Sequence, residues 1–384
     1  MKSANNPIKT AINIIFFTLV FGVSCFSQNK KVIAKYALRT IAFYNLENLF
    51  DTINQPENYD EDRTPNGKDQ WTSKKFNHKI TQLARVIRSL GLTEKASGDA
   101  RKKNLRKENG TSNLKALIHA KGPDILGVCE IENIAVLEVL ITHELLAPLN
   151  YGIIHFNSAD ERGIDVALLY KKNKFIPTSF NTHSLYLYNE FQRRNYTRDQ
   201  LVVMGYLDTQ PLWFIVNHWP SRSGGEARSK PYRMAAALLN LKIIDSIRRL
   251  SPNARIISMG DFNDSPVDDS FKKILQTKGQ PKDSSYHQLY NPMETLYKKG
   301  IGSLAYRDQW SLFDQFYMSE NLLERKIDVY EFLSAKVFSH SKLMTQKGRY
   351  KGYPFRSYSG GQYQGGFSDN FPIQLILIKK ISPK

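Results

Sequence analysis

Six times along this chain a short apolar run meets an acid, an amide or an imidazole at or near its end. Leu38 to Tyr44 runs into Asn45 and Glu47, and Asp124 to Cys129 stops at Glu130. Trp213 to Val216 gives way to Asn217 and His218, and Arg255 to Met259 to Asp261 and Asn263. Asp314 sits within Leu312 to Phe316, and Ser368, Asp369 and Asn370 come just before Phe371 to Ile378. Any one of these is ordinary, because Asp and Asn are common turn residues. Six of one chemical kind constrain the fold: the strands have to lie side by side with their polar ends gathered at one edge. Functional side chains are often presented from such ends by a rigid scaffold. Gly260, just before Asp261, permits a tight turn or a close backbone approach there.

The segments between these ends read as further strands and a few covering helices. Phe76, Ile80, Leu83, Ile87 and Leu90 recur at helical spacing and predict a helix over Trp71 to Leu90. Helices are also expected at Ile134 to Leu146, at Ser270 to Leu275, and at Pro231 to Leu250 with the proline at its start. Tyr151 to Phe156 and Ile164 to Tyr170 read as strands, with Arg162 and Gly163 in the turn between them. Gln200 to Leu207 and Leu212 to Val216 read as a hairpin closed by Asp208 to Pro211. Gln280 to Lys299 reads as irregular, and Ser311 to Met318 alternates like a strand. No repeat or linker interrupts the series, so one domain over residues 28–384 is expected.

Lys2 and Lys9 precede the apolar run Ala11 to Ser24, which is too short for a comfortable membrane span and has the form of a signal peptide. Cys25-Phe-Ser27 resembles a small-x-small cleavage site, giving a leader over residues 1–27 and an exported, periplasmic or extracellular protein. The other reading is a lipid anchor on Cys25, although Gly22 stands where an aliphatic residue is usual. After cleavage only Cys129 remains of the two cysteines, so stability must come from the core rather than a disulfide. The formal charge of +18, from 54 basic and 36 acidic residues, fits either general solubility or attraction to a polyanion. Basic residues concentrate in an insertion at about 94–113, read as a surface loop or a phosphate-contacting arm, and in a Tyr- and Gly-rich loop from Lys347 to Gly366.

Carboxylates gathered at one edge repel one another and stay charged only when a cation joins them. Oxygen ligands without a Cys/His cage point to Mg²⁺ or Mn²⁺. Nearby Asn, His and Arg donors suit phosphoryl oxygens as charge builds in a transition state. Neither a Gly-x-x-x-x-Gly-Lys-Ser/Thr loop nor a Gly-x-Ser-x-Gly elbow occurs, which disfavours nucleoside triphosphatase and serine hydrolase chemistry of those types.

The ordered series Phe43 to Phe50, Asp124 to Glu130, Arg162 to Tyr170, Asn217 to Arg222, Gly260 to Asp264, Phe313 to Phe316 and Gly366 to Asn370 resembles the endonuclease/exonuclease/phosphatase superfamily. In detail it is similar to the exported branch of Bacteroidetes-type bacteria. The resemblance implies the deoxyribonuclease I-like fold, a four-layer α/β sandwich of two mostly antiparallel mixed sheets packed face to face and flanked by helices. It implies a metal held by Glu130 with Asn45 beside it, Asp261 orienting or deprotonating the attacking water, and Asn263 positioning water and phosphate. His218 then faces the phosphate as donor or acid, and Arg162 steadies a phosphate oxygen. Arg222, Asn45 and Asp314 are substrate contacts, and Asp314 and Asp369 complete a polar floor and assist the metal, Asn45 and Asp369 being counted with Glu130 among its ligands.

One departure matters. The superfamily ends this series with Ser-Asp-His, whereas this chain reads Ser368-Asp369-Asn370. An amide donates hydrogen bonds but carries no proton near neutral pH. Loss of a general acid–base group lowers rates by about 10²–10⁴-fold. Asn370 is matched to the catalytic histidine, with Asp369 as the carboxylate beside it, and a slowed enzyme is expected in preference to a dead one. His340 reads as a surface loop residue. The expected substrate is DNA or RNA, cleaved at phosphodiester bonds by an endonuclease-like enzyme acting as a monomer without a protein partner. The alternatives are a phosphatase or lipid phosphodiesterase on the same site, or a phosphate-binding module that has lost turnover.

Overall fold

The computed structural model describes residues 35–91, 122–280 and 288–382. The expected leader, Cys25 and the basic insertion at about 94–113 lie outside these residues. Two six-stranded sheets dominate the described residues. The first contains β1 (Lys35–Leu49), β2 (Ile125–Ile131), β3 (Tyr151–His155), β4 (Asp165–Lys171), β15 (Glu331–Val337) and β18 (Ile373–Ile381), in the order β15-β18-β1-β2-β4-β3. The second contains β5 (Phe175–His183), β8 (Gln200–Leu207), β9 (Gln210–His218), β10 (Ile256–Asp261), β11 (Leu289–Tyr290) and β14 (Asp314–Ser319), in the order β11-β14-β10-β9-β8-β5. Only β1 with β2, and β9 with β10, run parallel; the other ladders are antiparallel. Three two-stranded hairpins complete the set: β6 (Leu187–Tyr188) with β7 (Arg194–Asn195), β12 (Leu304–Tyr306) with β13 (Gln309–Ser311), and β16 (Tyr358–Ser359) with β17 (Gln362–Tyr363).

Strand alternation sorts the apolar residues into layers. Ile41 and Phe43 of β1, Ile257 and Met259 of β10, and Leu212, Phe214 and Val216 of β9 meet in the core between the sheets. Ala42 and Tyr44 face outward, under α1 (Ser73–Ser89) and α2 (Ile134–Thr142). Ile215 and Ile256 face the other way, under α3 (Glu226–Leu250) and the wide helical turn Ser270–Ile274. The result is the four-layer sandwich the resemblance implied.

Several local readings change. The third helix begins at Glu226, so Pro231 lies inside it rather than at its start. Its first turn is held without the missing N–H by ion pairs from Arg222 and Arg233 to Glu226. Gln280 to Lys299 contains β11 and a short helix, α4 (Met293–Tyr297). The edge strands β5 and β15 carry no clean alternation of burial, which is why the sequence does not announce them. Gly260 serves close approach: a Cβ there would lie 2.4 Å from the Asn217 carbonyl oxygen on β9. Among the described residues no helix is long and apolar enough to cross a membrane.

Candidate active site

Register places the centre. Asp261, the last residue of β10, lies opposite His218 at the end of β9 and opposite Asp314 at the start of β14. Directly paired residues share a face of their sheet. That face is the one carrying Ile257 and Met259, so the three side chains point toward the facing sheet. From there Asn45 meets them, on the same face of β1 as Ile41 and Phe43. Its amide nitrogen donates to Glu130 Oε1 and to Asp261 Oδ2, each at 3.1 Å.

Alternation alone would turn Glu130 the other way, because its neighbour Cys129 faces the inter-sheet core. A register shift between Cys129 and Ile131, with Glu130 at φ 58°, re-aims it into the site. A matching irregularity follows Asn45, where Glu47 and Asn48 take φ 50° and 52°. Non-glycine residues rarely adopt this region, and such departures cluster at functional sites. The bulge turns two backbone N–H groups inward: Glu47 donates to Asn45 Oδ1 at 2.8 Å and Asn48 to Glu130 Oε2 at 2.9 Å. Asn45 therefore faces both carboxylates with its N–H groups, and its oxygen is engaged by backbone.

Asn370 closes the cluster from the start of β18. Its amide nitrogen donates to Asp314 Oδ2 at 2.7 Å and to Asp261 Oδ2 at 3.3 Å. Ser368 anchors the turn below it by donating to the Asn45 carbonyl oxygen at 2.7 Å and accepting the Asn370 N–H. Asp369, which the sequence reading paired with residue 370, instead turns away to Arg356 Nη2 at 3.3 Å. The expectation of an Asp369 partner is thus corrected to Asp314. Successive residues of an extended chain point to opposite sides, so neighbours in sequence do not share a partner.

Burial sets the charge states. Asp261 is pushed up to about 6 by burial, with the Glu130 charge adding to it against bonds from Asn263 and Asn45. Asp314 is held well above the usual carboxylate range by burial and by Asp261. Its Oδ1 is buried and has no hydrogen-bond partner. His218 is held well below its ordinary value by burial and by the charges of Arg198 and Arg162, and so is neutral. Its Nε2 lies 3.8 Å from Glu130 Oε1, and its Nδ1 is buried without a partner.

The remaining expected residues sit around this centre. Asn263, at φ 51°, donates its backbone N–H to Asp261 Oδ1 at 3.0 Å and its amide to the Trp219 carbonyl oxygen. Arg162 lies at the rim, its side chain 47% exposed and 3.6 Å from Asp160. Arg222 is not free for substrate: it donates to the Asn263 carbonyl oxygen and pairs with Asp264, Asp268 and Glu226, bracing the loop after Asp261. His340 is exposed and caps a single helical turn through Lys342 N–H.

Two buried cations escaped the sequence reading. Arg198 donates to the His218 and Trp219 carbonyl oxygens at 3.3 and 2.8 Å and to Asp160 at 2.9 Å, fixing the end of β9. Its signal is positional: it stands just before β8, and an antiparallel partner of β9 must start where β9 ends. Lys79, within the apolar face of α1, reaches the Phe367 carbonyl oxygen at 2.7 Å and Glu47 at 3.4 Å. It ties the helix to the turns that carry Asn45 and Asn370.

The carboxylates of Glu130, Asp261, Asp314 and Asp369 offer only oxygen, and burial first, then neighbouring carboxylate charges, raises three of them, Asp261, Asp314 and Asp369. An unpartnered buried carboxylate oxygen completes the fit to a hard divalent cation. Among the described residues no group of three or more acidic, His or Cys side chains is placed to hold a metal ion by itself.

A family model described as endonuclease/exonuclease/phosphatase matches residues 40–99 and 94–380. No curated protein matches the chain by sequence. Among solved structures, a Bacteroides thetaiotaomicron protein of that family is 16% identical, with a TM-score of 0.50, over 90% of this chain and 97% of its own. That likeness concerns the fold. A mannosyl-6-phosphatase of the same bacterium is 17% identical, with a TM-score of 0.47, over 88% of this chain and 99% of its own. A humanized D. rerio TDP2 is 12% identical, with a TM-score of 0.48, over 88% and 98%.

Proposed function

The chain belongs to the endonuclease/exonuclease/phosphatase family of phosphoester hydrolases, which generally depend on divalent metal, and from that premise we propose a phosphodiesterase acting on nucleic acid. The observation that carries the reading is the oxygen-rich centre, in which Asn45 and Asn370 bridge Glu130, Asp261 and Asp314 around an unpartnered Asp314 oxygen. Mg²⁺ or Mn²⁺ would suit such oxygen donors; Glu130, with Asn45 beside it, would hold the ion, and Asp369, which pairs with Arg356 but lies close enough to feel the Glu130 and Asp261 charges, would assist. When bound, such an ion neutralises a phosphoryl oxygen and lowers the pKa of water.

The chain's own groups supply the rest. Asp261 is fixed through both carboxylate oxygens and accepts the proton of the attacking water. Asn263 positions that water and the phosphate, at the turn that fixes Asp261. His218, neutral, offers an N–H to a phosphoryl oxygen, and Arg162 reaches the same phosphate from the rim. Nucleic acid is favoured as substrate by the formal charge of +18. Export, from the leader-like stretch, belongs to the same reading.

A second reading, a slow enzyme or a phosphate-binding module, rests on Asn370, which has no proton to give. Purified protein with Mg²⁺ or Mn²⁺, with and without chelator, is tested on plasmid DNA, RNA, bis(p-nitrophenyl) phosphate and p-nitrophenyl phosphate. Chelator-sensitive cleavage of DNA or RNA supports the proposal. Activity confined to the monoester, or to a lipid phosphoester added to the same panel, replaces it with the phosphatase or lipid reading, and oligonucleotide binding by fluorescence without product from any substrate replaces it with the binding module.

A further inference from the structure

Two basic cavities flank the acidic centre. The first, of about 590 Å³, is lined by Arg162, Arg194, Arg198 and Arg228 against Asp160 and Glu161. Asp160 is already held by Arg198. Arg194 makes no ion pair among the described residues; its guanidinium lies 4.5 Å from the Tyr186 ring centroid and 4.4 Å from that of Tyr196. Its Nε and the Thr197 hydroxyl, also on the cavity lining, are buried without a partner. Unpaired donors around a cationic cavity are the complement of an anion that brings its own acceptors.

The hairpin that gives Leu187, Asn189, Arg194 and Tyr196 to this cavity is anchored on the second sheet. Leu185 and Leu187 are buried against the outer face of the second sheet, so alternation turns Tyr186 and Tyr188 outward, 62% and 53% exposed. Asn189 Oδ1 accepts the N–H groups of Phe191 and Arg193 and fixes the tip, where Phe191 is 73% exposed. Exposed aromatic faces interleaved with arginines are what stacked bases and a phosphate backbone require.

The second cavity, of about 670 Å³, is lined by Arg307, Lys347, Arg349 and Arg356, with Tyr306 and Tyr350 exposed beside them. Its one acid, Asp308, is bonded to the Tyr353 hydroxyl at 2.6 Å. This loop divides two functions the sequence left open. Tyr358 and Tyr363 pack on Trp71, whereas Lys347 to Tyr350 face the cavity.

Strand order puts the cavities on opposite flanks. The first adjoins the end of β9 and the starts of β8 and β4, through Pro220, Thr197 and Arg162. The second adjoins the segments leading into β14 and β18, through Arg307 and Arg356. Between those pairs of strands lie β10 and β1–β2, which carry Asp261, Asn45 and Glu130. We infer that a single nucleic acid strand crosses the centre from one cavity to the other, seating a flanking phosphate in each and stacking bases on the Tyr186–Tyr196 hairpin. This rests on the nucleic acid reading above and adds to it that cleavage is internal and that single strands are preferred.

The test is equilibrium binding of a fluorescein-labelled oligothymidylate in chelator, which needs no turnover. Wild type is compared with Arg194→Gln, with the double variant Lys347→Gln/Arg349→Gln, and with their combination, over a range of KCl. Each flank should weaken binding and lower the salt slope by about one per cation removed, with the two flanks additive. Arg194→Lys should keep the slope and lose part of the affinity, because stacking between the tyrosines goes with the guanidinium. Melting curves identify any variant that fails to fold, in which case Tyr188→Ala and Phe191→Ala, at largely exposed positions of the same hairpin, test that flank. An effect from one flank alone overturns the crossing strand, and equal competition by anionic phospholipid vesicles overturns the choice of nucleic acid. Strand cleavage with every variant behaving as wild type sinks this inference and leaves the proposed function standing. Hydrolysis of bis(p-nitrophenyl) phosphate without strand binding sinks both the nucleic acid reading and this one.

Discussion

Asn370 Nδ2 lies 2.7 Å from Asp314 Oδ2, and through this bond the last strand of the first sheet is joined to the second sheet at the centre of the site. The same amide reaches Asp261 at 3.3 Å, so one uncharged side chain holds two crowded carboxylates together. An amide suits this position when no proton has to move, since it donates to both acids without titrating. On the proposed reading, the chemistry left to the site depends on a divalent cation and on Asp261.

Glu130→Gln tests the cation. Gln keeps the size and one acceptor for Asn48 N–H but removes the charge. Turnover should fall by about 10²-fold or more, within the span of lost electrostatic stabilisation, and the Mg²⁺ concentration giving half-maximal rate should rise. Thermal unfolding in chelator should match wild type. Unchanged activity and metal response would remove Glu130 from the site.

Arg198→Met tests the brace behind His218. The side chain is 6% exposed and its partner Asp160 4%, so the substitution breaks a buried ion pair and leaves Asp160 with only the rim residue Arg162, 3.6 Å away. Such a loss costs about 3–5 kcal/mol. Chemical denaturation should show a lowered midpoint. Because Arg198 also holds the His218 carbonyl oxygen, kcat should drop even where the protein is fully folded. A stable variant with wild-type kcat would show that β9 keeps its end without the arginine.

Glu132 predicts how stability changes with pH. Burial first, and then the Asp51 and Asp60 charges, push this carboxyl up to about 8. An unfolded glutamate titrates near 4.3. The folded state therefore binds more protons between those values, and stability from this group is full below about pH 4 and lost as pH rises through about 8. Gln at 132 keeps an acceptor for the Asp51 N–H and places a donor near Asp60, whose Oδ1 is otherwise unpartnered. Denaturant midpoints from pH 5 to 9 should fall less steeply in Glu132→Gln than in wild type. Parallel curves would show that Glu132 does not titrate in this range.

Much of this was legible in the chain because period-two alternation and polar strand ends are local signals. The strands bearing Asn45, Glu130, His218, Asp261 and Asp314 stand out for that reason, and register then puts Asp261 between His218 and Asp314. What the sequence hid depends on long-range geometry. The left-handed turn at Glu130 reverses the side its parity assigns. Arg222 looked like a substrate contact because it ends the Asn217 to Arg222 stretch that carries the resemblance, yet three carboxylates from later residues consume its donors. Arg198 and Lys79 are buried cations whose partners lie across the fold; Arg198 can be placed only once β8 is known to pair with β9, and Lys79 sits on an apolar helix face with no local signal.

Asn370→His tests whether the site is a slowed version of a proton-transferring one. The imidazole would enter where the amide now meets Asp314, so Asp314, and not the adjacent Asp369, is the carboxylate that orients it. The turn is held by Ser368 to the Asn45 carbonyl oxygen and to residue 370's own N–H, neither of which involves the side chain at 370. The substitution should leave that turn in place. Turnover on one phosphodiester at saturating Mg²⁺ should rise by about 10-fold or more, within the range of acid–base catalysis. A new titration in the histidine range should accompany it, because imidazole changes charge there and an amide does not. In the Asn370→His background, Asp314→Asn should remove both the gain and the titration. Asp369→Asn, with Arg356 as its partner, should leave the histidine titration in place. If wild type is already fast and Asn370→His lowers the rate, the chemistry is organised around the amide itself. If both forms bind Mg²⁺ and an oligonucleotide but cleave no phosphoester, the protein is a binding module on a hydrolase fold.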